Sequence, residues 1–115
     1  MTLEKGYLFI RSDENYDIDN AYYLGITNNL YEQNKALNII NENNKGKFKL
    51  VLEVLINRME RIESLLKVYF YNYNVNSDCG SNFYKKEILD KIEPYLDSIN
   101  EYYLKLSDEK IKLLI

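Results

Sequence analysis

Apolar residues along this chain fall into short runs and helical stripes separated by polar punctuation. Gly6 to Arg11, Gly-Tyr-Leu-Phe-Ile-Arg, is dense in aromatic and branched residues and predicts a β-strand. Ser12 to Asn20 is a polar connection carrying Asp13, Glu14, Asp17 and Asp19. Ala21 to Thr27, Ala-Tyr-Tyr-Leu-Gly-Ile-Thr, predicts a second strand antiparallel to the first. Thr27 or Asn28 then serves as N-cap for a helix running to about Ile40. Asn41 to Gly46 has the composition of a loop. Beyond it, Lys47 to Ile56 contains Phe-Lys-Leu-Val-Leu-Glu-Val-Leu, the clearest strand in the chain.

Asn57 followed three residues later by Glu60 matches a capping box, opening a helix to about Phe70. Met59, Ile62, Leu65, Leu66, Tyr69 and Phe70 hold helical spacing along it. Asn72 to Gly80 reads as loop. From about Asn82, itself a suitable N-cap, a long helical pattern runs through Ile88, Ile92, Leu96, Ile99, Tyr103 and Leu106. Pro94 lacks the amide donor, so a kink or break is expected there. The order β-β-α-β-α-α predicts an α+β fold with a three-stranded antiparallel sheet flanked by helices. One domain is expected over residues 1–115, with a core at about 6–96 and a C-terminal helical extension at 97–115.

Composition narrows the chemistry more than the fold. A chain of 115 residues supports one modest core. Net charge is −3, so phosphate neutralisation by the whole surface is not indicated, although a local basic patch stays open. The single cysteine, Cys79, excludes an internal disulfide and a multi-cysteine zinc site. With no histidine, every Ser-His, Cys-His and His-metal mechanism is removed. Residual chemistry would use Tyr, Lys, Arg, carboxylates and a hard cation. Asn, Lys, Ile and Tyr are heavily used, as A/T-rich codons dictate in certain large DNA viruses, parasites or low-GC bacteria. A single Asn or Tyr is therefore a weak functional signal. Met1-Thr-Leu-Glu-Lys carries no signal peptide and no apolar run approaches spanning length, so no membrane association and an intracellular location are expected.

Four segments together resemble a known pattern. Gly6-Tyr7-Leu8-Phe9-Ile10 resembles the first strand motif of the GIY-YIG endonuclease superfamily, as written in phage and large-DNA-virus members. Tyr22 to Leu30 resembles the second strand and helix entry, with Tyr23-Leu24-Gly25 standing for YIG. Ile62-Glu63-Ser64-Leu65-Leu66 through Phe70 resembles the metal-binding helix. Gly80-Ser81-Asn82-Phe83-Tyr84 is similar to a late Gly-x-Glu-aromatic-aromatic segment. The resemblance covers roughly residues 6 to 96. It implies phosphodiester hydrolysis of DNA with one divalent cation such as Mg²⁺, a Glu holding the metal, an Arg stabilising the phosphate, and a motif Tyr helping to position the attacking water.

Carried onto this chain, the resemblance makes Glu63 the metal residue; at helical period it falls at the edge of the apolar stripe. The alternative is a surface Glu paired with Lys67 one turn on. Gln33 lies where the family Arg is expected, inside the apolar face of Leu30, Ala36, Leu37 and Ile40. A long polar residue there must find partners or line a cleft. Tyr23 keeps the second motif's phenol, or is an ordinary half-buried strand tyrosine. Phe9 takes the place of the first motif's Tyr. Tyr7 is expected on the opposite face of the strand, unless a shift by one residue restores it at the expense of the glycine match. Asn82 stands where the subgroup often has Glu.

Two further features are weaker. Tyr69, Tyr71 and Tyr73 could stack on unpaired bases, or simply end a core helix. Lys45, Lys47, Lys49, Arg58 and Arg61 could track a phosphate backbone, although Glu42, Glu53 and Glu60 dilute them. Three functions stay open. One is an active metal-dependent DNA endonuclease. The second is a catalytically impaired relative binding nucleic acid or a protein partner. The third is a homo-oligomeric structural protein using the C-terminal run that ends Leu113-Leu114-Ile115. Loss of the Arg, and of a motif Tyr, favours the second.

Overall fold

The computed structural model describes residues 4–12, 21–40, 46–75 and 82–115. The acidic connection at 13–20, Glu42, Lys45, Cys79, Gly80 and Ser81 lie outside the described residues.

Central to the fold is β1 (Lys5–Arg11), paired antiparallel with β2 (Ala21–Thr27) on one side and β3 (Phe48–Leu55) on the other. Both flanks of this pair of ladders are extended by strands that the expected three-stranded sheet lacks. β4 (Phe83–Lys85) adds to β2 and β5 (Tyr103–Lys105) adds to β3, giving a five-stranded antiparallel sheet in the order β4-β2-β1-β3-β5. The α+β class stands; the sheet is larger than expected.

Strand periodicity then builds two cores, because successive side chains leave opposite faces of the sheet. Leu8, Ile10, Leu50, Leu52 and Val54 enter one cluster, where they meet Ile62 and Leu66 of α2 (Ile56–Tyr69) and Phe70, its C-cap. Ile92 and Leu96 of α3 (Ile92–Ser98) close the same face. Phe9 and Val51 enter the other cluster, covered by Leu30 of α1 (Leu30–Ile40) and Ile111 of α4 (Asp108–Leu114). Burial on both faces explains why β1 and β3 read as continuous apolar runs rather than alternating ones. Among the described residues, no helix is long and apolar enough to cross a membrane.

Helix boundaries depart from the sequence reading for identifiable reasons. Asn29 caps α1, its Oδ1 accepting from the Glu32 amide at 3.1 Å, while Thr27 Oγ1 accepts from the Asn29 amide. The Asn57–Glu60 capping box does not open α2. Strand β3 runs straight into the helix, Leu55 is the N-cap without a side-chain bond, and the Ile56 amide donates to the Glu4 carbonyl at 2.6 Å. The long C-terminal helix is absent. Residues 83–85 form β4, a 3₁₀ turn follows at Lys86–Asp90, and α3 starts only at Ile92. Pro94 is its third residue, where the missing amide would be an orphan donor in any case. Asn100 (φ 57°) then ends the helix, with Glu101 N donating to Leu96 O and Asn100 N to Asp97 O, the Schellman pattern. Its left-handed turn sends Tyr103–Lys105 into the sheet, so residues 97–115 are not a helical extension.

Candidate functional site

The segments that β2, α1, α2 and β4 contribute enclose a cleft of about 100 Å³. Tyr23 on β2, Gln33 on α1, Glu63 on α2 and Asn82 before β4 all line it, together with Lys67 and Tyr84. Leu8, Leu24 and Leu66 supply an apolar floor.

Local packing explains each placement. Phe9 pairs with Gly25 across the β1–β2 ladder, and its ring stacks on Tyr23 at 5.8 Å with 23° between planes. Phe83 meets the other side of Tyr23 edge-on at 5.4 Å, so the Tyr23 ring is held between two aromatics. Gly25 permits this arrangement: a Cβ there would lie 2.7 Å from Phe9 Cζ and 2.8 Å from Tyr23 Cε1. Gln33 is half-buried, one turn after the buried Leu30. Ala36, expected on the same apolar face, is exposed. Neither side-chain amide, of Gln33 or of Asn82, nor the Tyr23 hydroxyl, bonds to a described residue.

Tyr7 is not among the cleft residues. It packs with Phe9 and Tyr23 against the Leu30–Val51 cluster, on the same face of β1 as Phe9, because the two are two residues apart. The expected opposite-face placement is therefore corrected.

Glu63 stands at the cleft and also makes the surface ion pair that one of its sequence readings expected. It lines the cleft, and its Oε1 lies 3.0 Å from Lys67 Nζ one helical turn away. The Glu63 carboxylate, by accepting that hydrogen bond and by its opposite charge, holds the Lys67 ammonium above the usual lysine range; slight burial acts the other way. Lys67 is the cleft residue that motif reading passed over. Its signal was the i,i+4 spacing, which puts it on the face of α2 that Glu63 occupies.

A Mg²⁺ ion does not fit this donor set well. Glu63 is the one carboxylate among the described lining residues, and a single carboxylate holds Mg²⁺ only where it is free to bind it alongside waters and substrate phosphates, whereas here it is paired with Lys67.

Several of the remaining candidates are engaged structurally. Arg58 and Arg61 both pair with the buried Glu101, at 3.2 and 2.6 Å, which breaks up the basic middle. Tyr69 lies flat on Tyr95 at 3.9 Å, Tyr73 meets Phe70 edge-on, and Tyr71 is exposed. A wider groove of about 490 Å³ between β3, β5 and α3 contains Asp97 and Glu93, but Tyr103 donates to Asp97 at 2.8 Å and Lys105 lies 3.7 Å from Glu93.

No protein-family model, characterised protein or solved structure matches this chain.

Proposed function

We propose that the chain is a GIY-YIG-like protein that no longer hydrolyses phosphodiesters and uses its cleft to bind nucleic acid. One observation carries the reading: Tyr23, Gln33, Glu63 and Asn82 come from four separated segments, each at a motif position, and line one cleft. The β-β-α-β-α order of the first five elements supports the same ancestry.

Impairment follows from charge and chemistry. Gln33 is neutral where the family has Arg; loss of such a group costs on the order of 10²-fold or more in rate. Phe9 has no hydroxyl and is sealed in the core. An active Mg²⁺-dependent endonuclease would need the cation at Glu63, where Lys67 stands. What the cleft keeps is recognition: two amides and a hydroxyl without partners among the described residues, beside one ammonium. Amides and an ammonium suit phosphate oxygens and base edges. With few lysines and arginines near the cleft, the salt dependence should be shallow.

Fluorescence anisotropy with labelled single-stranded and duplex oligonucleotides at low salt tests this. Binding by the unaltered chain, weakened several-fold by Gln33→Glu, is the expected result. No binding of either oligonucleotide would contradict it. That outcome would favour a protein partner, for which the exposed Val68 (78%) and Tyr71 (66%) at the end of α2 offer a surface.

A further inference from the structure

We infer that the Lys67 ammonium takes the place of a divalent cation at Glu63, so that the cleft excludes Mg²⁺ and Mn²⁺. The inference rests on reading Glu63 as the inherited metal-binding carboxylate. It is built from geometry on one helix. Glu63 precedes Lys67 by four residues in α2, the favourable orientation for such a pair, and the contact is 3.0 Å. Because both groups ride on the same helical turn, the pairing needs no tertiary rearrangement to form. A dication approaching Glu63 meets a like charge at ion-pair distance and has to displace it to reach the carboxylate.

The cleft offers little to offset that repulsion. Mg²⁺ takes six oxygens in near-ideal octahedral geometry, keeps several waters, and is anchored to protein by one or two carboxylates that must be free to bind it. Here the single carboxylate facing the cleft among the described residues is paired with Lys67, and the other side-chain oxygens of the lining, on Tyr23, Gln33, Asn82 and Tyr84, are neutral. Lys67 is also the one lysine or arginine among the described lining residues. The one ammonium of the described lining is therefore a side chain balanced by Glu63, and it is independent of metal supply.

Mn²⁺ binding followed by electron paramagnetic resonance of the free ion tests the inference on four proteins: the unaltered chain, Glu63→Gln, Lys67→Met and Lys67→Met with Glu63→Gln. Both side chains are well exposed, 52% for Lys67 and 39% for Glu63, so all four should fold, and thermal melts check this. The expected result is no difference between the unaltered chain and Glu63→Gln. Lys67→Met should bind Mn²⁺ at least tenfold more tightly, and the double variant should lose that gain. Mn²⁺ binding by the unaltered chain that Glu63→Gln abolishes overturns the inference. So does the absence of any Glu63-dependent site in Lys67→Met. Because this readout involves no nucleic acid, its failure is distinguishable from failure of the oligonucleotide-binding result.

Discussion

Gly25 shows how one residue without a side chain positions several that have them. The Phe9 ring lies over it and the Tyr23 ring stands beside it, so that any Cβ would come within 3 Å of both. Gly25→Ala should cost about 1–3 kcal/mol, the range for overfilling a packed site. Phe9→Leu in the same background should restore part of that loss, as read by chemical denaturation. At Tyr103, burial, followed by the hydrogen bond it donates to Asp97, pushes the phenol up to about 12. A raised folded-state pKa means that this contribution to stability is complete below pH 10 and fades as pH rises from 10 toward 12. Absorbance at 295 nm should accordingly show a late-titrating component that Tyr103→Phe removes.

Elements are joined through Glu101, which lies just past the left-handed Asn100 and reaches back to Arg58 and Arg61 on α2. The carboxylate is buried while both arginines are half exposed, so the partners are not equivalent. Arg58→Ala or Arg61→Ala alone should cost about 1 kcal/mol or less, since the other guanidinium still holds the carboxylate. The double substitution strands a buried charge and should cost more than the sum of the two, measurable as a non-zero coupling in urea unfolding. This junction also marks where sequence reading ran out. Strands β1, β2 and β3 and helices α1 and α2 were legible because their apolar runs and stripes are unambiguous. Ile88 through Leu106 fits a helical period throughout, but Tyr102-Tyr103-Leu104 fits a strand equally well. The choice falls to Asn100, whose left-handed conformation leaves no trace in hydrophobic pattern. The short β4 was hidden in the same way, as a strand of three residues has too few positions to show a period.

For the whole molecule, the sheet sits between two helical layers and the cleft opens where segments from both layers approach β2. Tyr23, Gln33, Glu63 and Asn82 were reachable from the order and spacing of short segments. Lys67 as a cleft residue was not, since only the fold turns a surface ion pair toward the same opening. The face of Tyr7 was misread: residues two apart on a strand share a face, and the structure places Tyr7 with Phe9. On the proposed reading, the cleft should hold nucleic acid and leave it whole. The most direct measurement is nicking of supercoiled plasmid with Mg²⁺ or Mn²⁺ by the unaltered chain, Glu63→Ala and Gln33→Arg. No nicking by the unaltered chain at any metal concentration is the predicted result. Nicking by the unaltered chain that disappears in Glu63→Ala would contradict it.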